Sequence, residues 1–183
     1  MKNIKYFILA IIVMISFSAC TKVYKVGDKG PAGGIIFYDK GEYSQEWRYL
    51  EAAPADTEFE TVWSDYPFHV EGTQSELGTG KSNTKVIVEV ANYWRETIAA
   101  AQMCANLNIG KYSDWYLPSN DELDHMNQNL KMQNIGDFKD KIYWSSTQYY
   151  DDETSTWTQY FGTDEQGGLS KDNRFLVQAI RAF

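Results

Sequence analysis

The chain has 183 residues, 25 acidic against 17 basic, and a formal charge of −8, the size of one ordinary domain. An acidic chain with no basic stripe lacks the electrostatic footprint of a nucleic-acid binder and is poorly suited to an anionic membrane surface. Its aromatic share of 15% exceeds what a core of this size needs, so some rings are expected on the surface.

Lys2 and Lys5 open the chain, Tyr6 to Ile15 is almost unbroken apolar, and Phe17-Ser18-Ala19-Cys20 follows. A basic start, a short apolar run and small residues before a cysteine form a secretory signal that ends in a lipidated cysteine. A transmembrane helix needs about 20 apolar residues, more than this run supplies. An ordinary cut after Ser18 is the competing reading. Bulky Phe17 argues against a conventional cut after Ala19, and it also stands where lipoprotein signals usually carry Leu. The expected organisation is a signal over 1–19, lipidated Cys20 with a short tether over 20–26, and one domain over 27–183. Thr21 is not an acidic retention signal, which points to the outer membrane in a diderm host. Lys2 and Lys5 leave with the signal, so the formal charge falls from −8 to −10.

With lipid on Cys20, Cys104 is the one remaining thiol. That excludes a disulfide-stapled scaffold and a cysteine-based zinc site. Beside Ala101 and Ala105 in a helical pattern, Cys104 reads as a small buried hydrophobe.

The turn-dense stretch Gly27 to Gly34 begins the domain. Ile35 to Tyr38 predicts a buried strand, and Trp47 to Ala53 a second one ended by Pro54. Residues 55–83 predict a long irregular loop with Trp63, Tyr66 and Phe68 embedded in it. From Thr84 to about Leu107 the period turns helical, with Ile87, Ala91, Trp94, Ile98, Ala101 and Ala105 on one stripe. A second helix follows Pro118, where Ser119 and Glu122 form a capping box and Leu123, Met126 and Leu130 the buried face. Strands are predicted over Ile142 to Gln148, Thr156 to Phe161 and Phe175 to Phe183, with turns at Asp151 to Glu153 and at Gly167-Gly168.

Candidate chemistry is sparse. Gly78-Thr79-Gly80-Lys81-Ser82 resembles a phosphate loop, but Ser75 stands where that pattern needs glycine. His125 with Asp121 supplies only two metal ligands, and the acidic first turn of the helix explains those carboxylates without a metal. Ser145-Ser146 has no glycine elbow around it. No cofactor is expected. The aromatic segments are more suggestive, because rings stack on sugars while short polar side chains bond their hydroxyls. They nominate Asp114, Trp115, Trp144, Ser145, Tyr149, Tyr150 and Trp157 as ligand-binding residues. Trp115 and Trp144 are especially good candidates for the core.

Gly27-Asp28 with Gly30 to Asp39, Trp47 to Pro54, Gly78 to Asn83, Asp114 to Ser119 with Glu122-Leu123, Tyr143 to Ser146, and Gln178 to Phe183 carry a family resemblance. Together they resemble the bacterial extracellular domain family typified by the C-terminal domain of the Legionella collagen-like adhesin. The resemblance implies an α+β domain, distantly similar to C-type lectin-like and sulfatase-modifying-factor folds, with two main helices and a mostly antiparallel, irregular sheet. The typifying adhesin binds sulfated glycans and trimerises through a collagen-like stalk. This chain lacks such a stalk, and its acidity disfavours polyanionic ligands. The paired cysteines of the modifying enzymes are absent, so that activity is not implied.

Three function classes follow. The first is a non-enzymatic, membrane-anchored binding or adhesin-like lipoprotein, with a neutral glycan or an envelope protein as its partner. The second is an interaction subunit of an envelope complex that uses exposed aromatics as its interface. The third is a glycosidase, which needs two carboxylates facing each other across a cleft.

Overall fold

The computed structural model describes residues 22–65, 69–95 and 100–183. The signal segment, Cys20, Tyr66, Phe68 and Ile98 lie outside them. In chain order the elements are β1 (Ile35–Ser44), β2 (Trp47–Ala52), β3 (Phe59–Val62), α1 (Gly80–Trp94), α2 (Ala100–Ala105), α3 (Asn120–Asn129), β4 (Ile142–Gln148), β5 (Ser155–Tyr160), β6 (Gln166–Ser170), β7 (Arg174–Val177) and β8 (Ile180–Ala182). They form one α+β domain with a three-stranded sheet ordered β1-β2-β8 and a five-stranded sheet ordered β3-β7-β4-β5-β6. All pairings are antiparallel except β4 with β7, which touch in parallel at Tyr143 and Leu176.

The first sheet is built locally. Gln45 and Glu46 turn the β1–β2 hairpin with φ of 52° and 68°, the left-handed pair that matches strand twist. Gly34 enters β1 so close to β2 that a Cβ there would lie 1.8 Å from the Ala52 carbonyl oxygen. The expected closing strand Phe175 to Phe183 is instead two strands in different sheets. The backbone leaves β7 at Gln178, whose Nε2 donates to the Ala53 carbonyl at 2.8 Å, and β8 then pairs with β2. This crossing joins the two sheets.

The expected single helix over 84–107 is also divided, so the described residues hold three α-helices where two main ones were expected. Arg95 adopts φ 60°, and its N–H bonds back to the Ala91 and Asn92 carbonyls, which ends α1. Ile87, Ala91 and Ala101 are buried as the stripe requires, but Trp94 is 54% exposed. The second predicted helix, α3, matches its expectation closely. Ser119 Oγ accepts from the Glu122 N–H, Glu122 accepts from the Ser119 N–H, and Leu123, Met126 and Leu130 are buried.

The predicted irregular loop contains β3 and a short 3-10 turn at Ala55–Thr57. Distant side chains fix the rest of it. Asn83 bonds both the N–H and the carbonyl of Gln74, and Trp63 Nε1 donates to the Ser145 carbonyl at 2.9 Å. Lys171 is fully buried with its Nζ on Gln148 Oε1 and the Glu153 carbonyl, 4.7 Å over the Trp63 ring. Gly167-Gly168, expected as a turn, lies inside β6. The chain turns earlier, at Gly162, where φ is 107°. Cys104 is buried in the core beside Ala100 and Ala101, and burial pushes its thiol far up.

Candidate functional site

The site grows from strand alternation. On β2, Tyr49 and Glu51 point to one face; on the paired end of the chain, Arg181 and Phe183 do the same. Glu51 sits opposite Arg181 in the ladder, and the Phe183 carbonyl receives the Arg48 and Tyr49 N–H groups. The loop before α3 adds Tyr112 and Asp114, and the leader before β1 adds Lys22, Val23 and Tyr24. Together with Pro31, Tyr43 and Arg48, these elements line an open groove of about 580 Å³, within the range of small-ligand sites.

Its rings and cations form a continuous ladder. The Arg181 guanidinium lies 4.4 Å from the Tyr112 ring centre and 4.9 Å from that of Phe183. Phe183 packs 5.5 Å from Tyr49, and Tyr24 stands edge-on to both at 5.6 and 5.3 Å. Arg48 covers Tyr49 at 4.8 Å, and Lys22 covers Tyr24 at 4.5 Å. Tyr43 is 69% exposed at the edge.

The charges are matched. Arg181 forks onto both Asp114 oxygens at 2.9 and 2.8 Å and reaches Glu51 at 3.3 Å. Arg48 forks onto Asp39 at 2.7 and 3.0 Å. Arg48 and Arg181 are thus paired with Asp39, Glu51 and Asp114, and Lys22 brings the local count to three cations against three carboxylates. Burial pushes the Glu51 carboxyl above its ordinary range, against the Gly34 N–H and Arg181. At Asp114 burial acts upward too, but the Arg181 bonds and charge outweigh it and hold the carboxyl low. Burial disfavours the charged form of Arg181, yet its two carboxylate partners raise its pKa further. Every Arg181 nitrogen is therefore committed to holding the groove floor.

The residues nominated from sequence fall elsewhere, with one exception. Asp114 belongs to the floor through Arg181. Trp115 is 3% exposed with Nε1 on the Tyr112 carbonyl, and Trp144 is 0% exposed with Nε1 on the Thr61 carbonyl. Ser145 is buried and donates to the Trp157 carbonyl. These three present no face to a ligand, because each side chain is consumed by packing and backbone bonds. Tyr149 and Trp157 pack edge-to-face at 4.9 Å over Gly168, where a Cβ would meet the Tyr149 ring at 2.5 Å. Tyr150 is exposed beside a separate depression lined by His69 and Gln148. Cys20 lies outside the described residues.

Sequence reasoning missed Tyr24, Tyr43, Tyr49, Arg48, Arg181 and Phe183 as site residues. The period-two pairs Tyr49/Glu51 and Arg181/Phe183 were the available signal, since opposite charges at matching strand positions indicate pairing.

Among the described residues, no three or more His, Cys, Asp or Glu side chains gather as a metal site, and no helix is long and apolar enough to cross a membrane. A family model described as the Lcl C-terminal domain matches residues 53–181. No curated protein matches the chain.

Proposed function

The chain belongs to the Lcl C-terminal domain family, and from that premise we propose an exported, lipid-anchored, non-enzymatic binding domain whose groove takes a neutral glycan. Cys20 carries the lipid in this reading, the outer membrane is its site in a diderm host, and the architecture is C-type lectin-like. The observation that carries the reading is the ring-lined groove with balanced charge. Tyr24, Tyr43, Tyr112 and Phe183 supply apolar faces for a sugar ring, and the Tyr43 and Tyr112 hydroxyls bond its hydroxyls. Matched arginines give a sulfated ligand no net attraction, while the chain as a whole repels it.

Glu51 and Asp114 are carboxylates bonded to a guanidinium that lines the groove, and their state argues for binding over hydrolysis. Glu51 is fully enclosed by the Ala32 and Gly34 N–H groups and Arg181, and Asp114 is clamped by the same guanidinium. Neither is free to protonate a glycosidic oxygen or attack an anomeric carbon. A second reading, an interface for an envelope protein, draws on Tyr93 and Trp94, which are 79% and 54% exposed at the end of α1.

A glycan array printed with neutral and sulfated oligosaccharides tests the proposal. Binding to neutral sugars, weakened about tenfold by Tyr112→Ala with the fold intact, is the expected result. Capture of sulfated sugars alone, or of none, overturns it. For the second reading, crosslinking in intact cells through residue 94 is expected to trap one stoichiometric partner.

A further inference from the structure

The groove has one wall that the folded body does not own. Its floor and far side come from β2, β8 and the α2–α3 loop, all held by sheet bonds or buried ion pairs. The near wall is the leader, Lys22 to Tyr24, which has no regular structure. The leader's first backbone bond to the sheet is the Gly27 N–H to the Ile36 carbonyl at 2.8 Å. Among the described residues, Lys22, Val23 and Tyr24 make a single hydrogen bond, from the Tyr24 N–H to the Tyr49 hydroxyl at a long 3.3 Å. Otherwise the wall is held by the edge-on Tyr24 ring against Tyr49 and Phe183. Val23 beside it is 63% exposed. Few contacts and an exposed backbone place such a segment at the low end of local stability.

Resting on the glycan reading of the groove, we infer that Lys22–Tyr24 is a strap whose closure completes the site and is coupled to ligand occupancy. The physical basis is differential contact. With Tyr24 seated, a sugar in the groove touches a ring on each side; with Tyr24 displaced, it touches the floor rings alone. A ligand that gains contacts only in the closed state shifts the strap toward closure. Linkage makes the effect reciprocal, so the factor by which the seated strap tightens binding equals the factor by which the ligand suppresses strap opening. The strap is also the stretch of chain between Cys20 and the sheet. With Cys20 carrying the lipid as proposed above, occupancy shortens the free tether to the anchor, and a pull on the tether loosens the ligand.

The experiment runs the parent chain, Tyr24→Ala and Tyr24→Phe on one array of cello-, chito- and manno-oligosaccharides. Amide hydrogen exchange is followed at Tyr24 and Gly27 with and without the bound sugar. Tyr24→Ala is expected to weaken binding about tenfold, while Tyr24→Phe, which keeps the ring and the N–H, retains it. In the free protein the Tyr24 amide exchanges faster than the Gly27 amide. The sugar slows Tyr24 by the same factor that Tyr24→Ala costs in affinity and leaves Gly27 unchanged. Equal binding by parent and Tyr24→Ala overturns the strap while leaving the groove reading standing. Absence of binding by the parent itself overturns the groove reading and the coupling together. The parent's own signal therefore tells the two failures apart.

Discussion

Glu122 is a fully buried carboxylate set between the starts of two helices. It accepts from the Ser119 N–H at 2.8 Å, the Gly78 N–H at 3.1 Å and the Tyr116 hydroxyl at 3.3 Å. A Cβ on Gly80, the first residue of α1, would lie 2.2 Å from its Oε2. Burial pushes the carboxyl up to about 7, against those three donors. The folded chain therefore holds this proton more tightly than the unfolded chain, whose value is 4.5. Stability from this group is fully present below the unfolded value, declines as pH rises through the window between the two, and is level above it. Urea unfolding of the parent between pH 5 and 8 is expected to carry this slope, and Glu122→Gln to lose it. The variant is also less stable by about 1–3 kcal/mol, because its amide N–H₂ faces a backbone donor. A variant that keeps the parental slope assigns the effect to another group.

Arg181 is the second residue on which much depends. Lysine in its place is a point charge on a flexible stem and cannot fork onto Asp114 while bonding Glu51. Glu51, with no exposed surface, would be left short of its cation. Arg181→Lys is expected to cost about 3 kcal/mol in denaturant unfolding. A cost near zero would show that the Ala32 and Gly34 N–H groups suffice for Glu51.

At the scale of elements, the α1 terminus carries a cost that can be removed. Arg95 holds φ 60°, a conformation that glycine adopts without a side-chain penalty. Arg95→Gly is expected to stabilise the domain by up to about 1 kcal/mol, seen as a raised thermal midpoint, and a lowered midpoint would give Arg95 a structural role. The same position shows why the helix length was not legible. The apolar period runs on through Trp94 and Ala101, but helix termination at Arg95 leaves no signature that periodicity detects. By contrast, β2, β4 and the Ser119–Glu122 cap were readable because each rests on neighbours in sequence. β3 and β6 were not. β3 exists through β7, 115 or so positions away, and the two glycines of β6 belong to a strand because they pair with Thr158 and Trp157 of β5, with Tyr149 packed onto Gly168. Local composition favoured a turn there, and strand pairing overrode it.

The groove is a property of the whole molecule, and that is why the sequence nominated other rings. Its aromatics come from positions 24, 43, 49, 112 and 183, brought together only when β8 crosses to β2. The rings adjacent in sequence, at Trp115, Tyr143 and Trp144, are those buried in hydrophobic packing. Only the Asp114 link to Arg181 ties the nominated set to the site.

Charge balance in the groove gives the last prediction. Lys22, Arg48 and Arg181 face a ligand with Asp39, Glu51 and Asp114 behind them, so a neutral glycan held by stacking and hydroxyl bonds meets no net field. Its affinity is expected to stay constant from about 50 to 500 mM salt, a range over which screening shortens from well beyond the groove to a few ångströms. Tyr112→Ala is expected to weaken it about tenfold, through loss of one stacking face. Tyr150→Ala, on a separate depression, leaves it unchanged. Titration calorimetry across the salt series separates the cases. Affinity that falls steeply with salt would mean that cations hold the ligand: Lys22, which no carboxylate clamps among the described residues, or arginines that leave Asp39 and Asp114 to bind it.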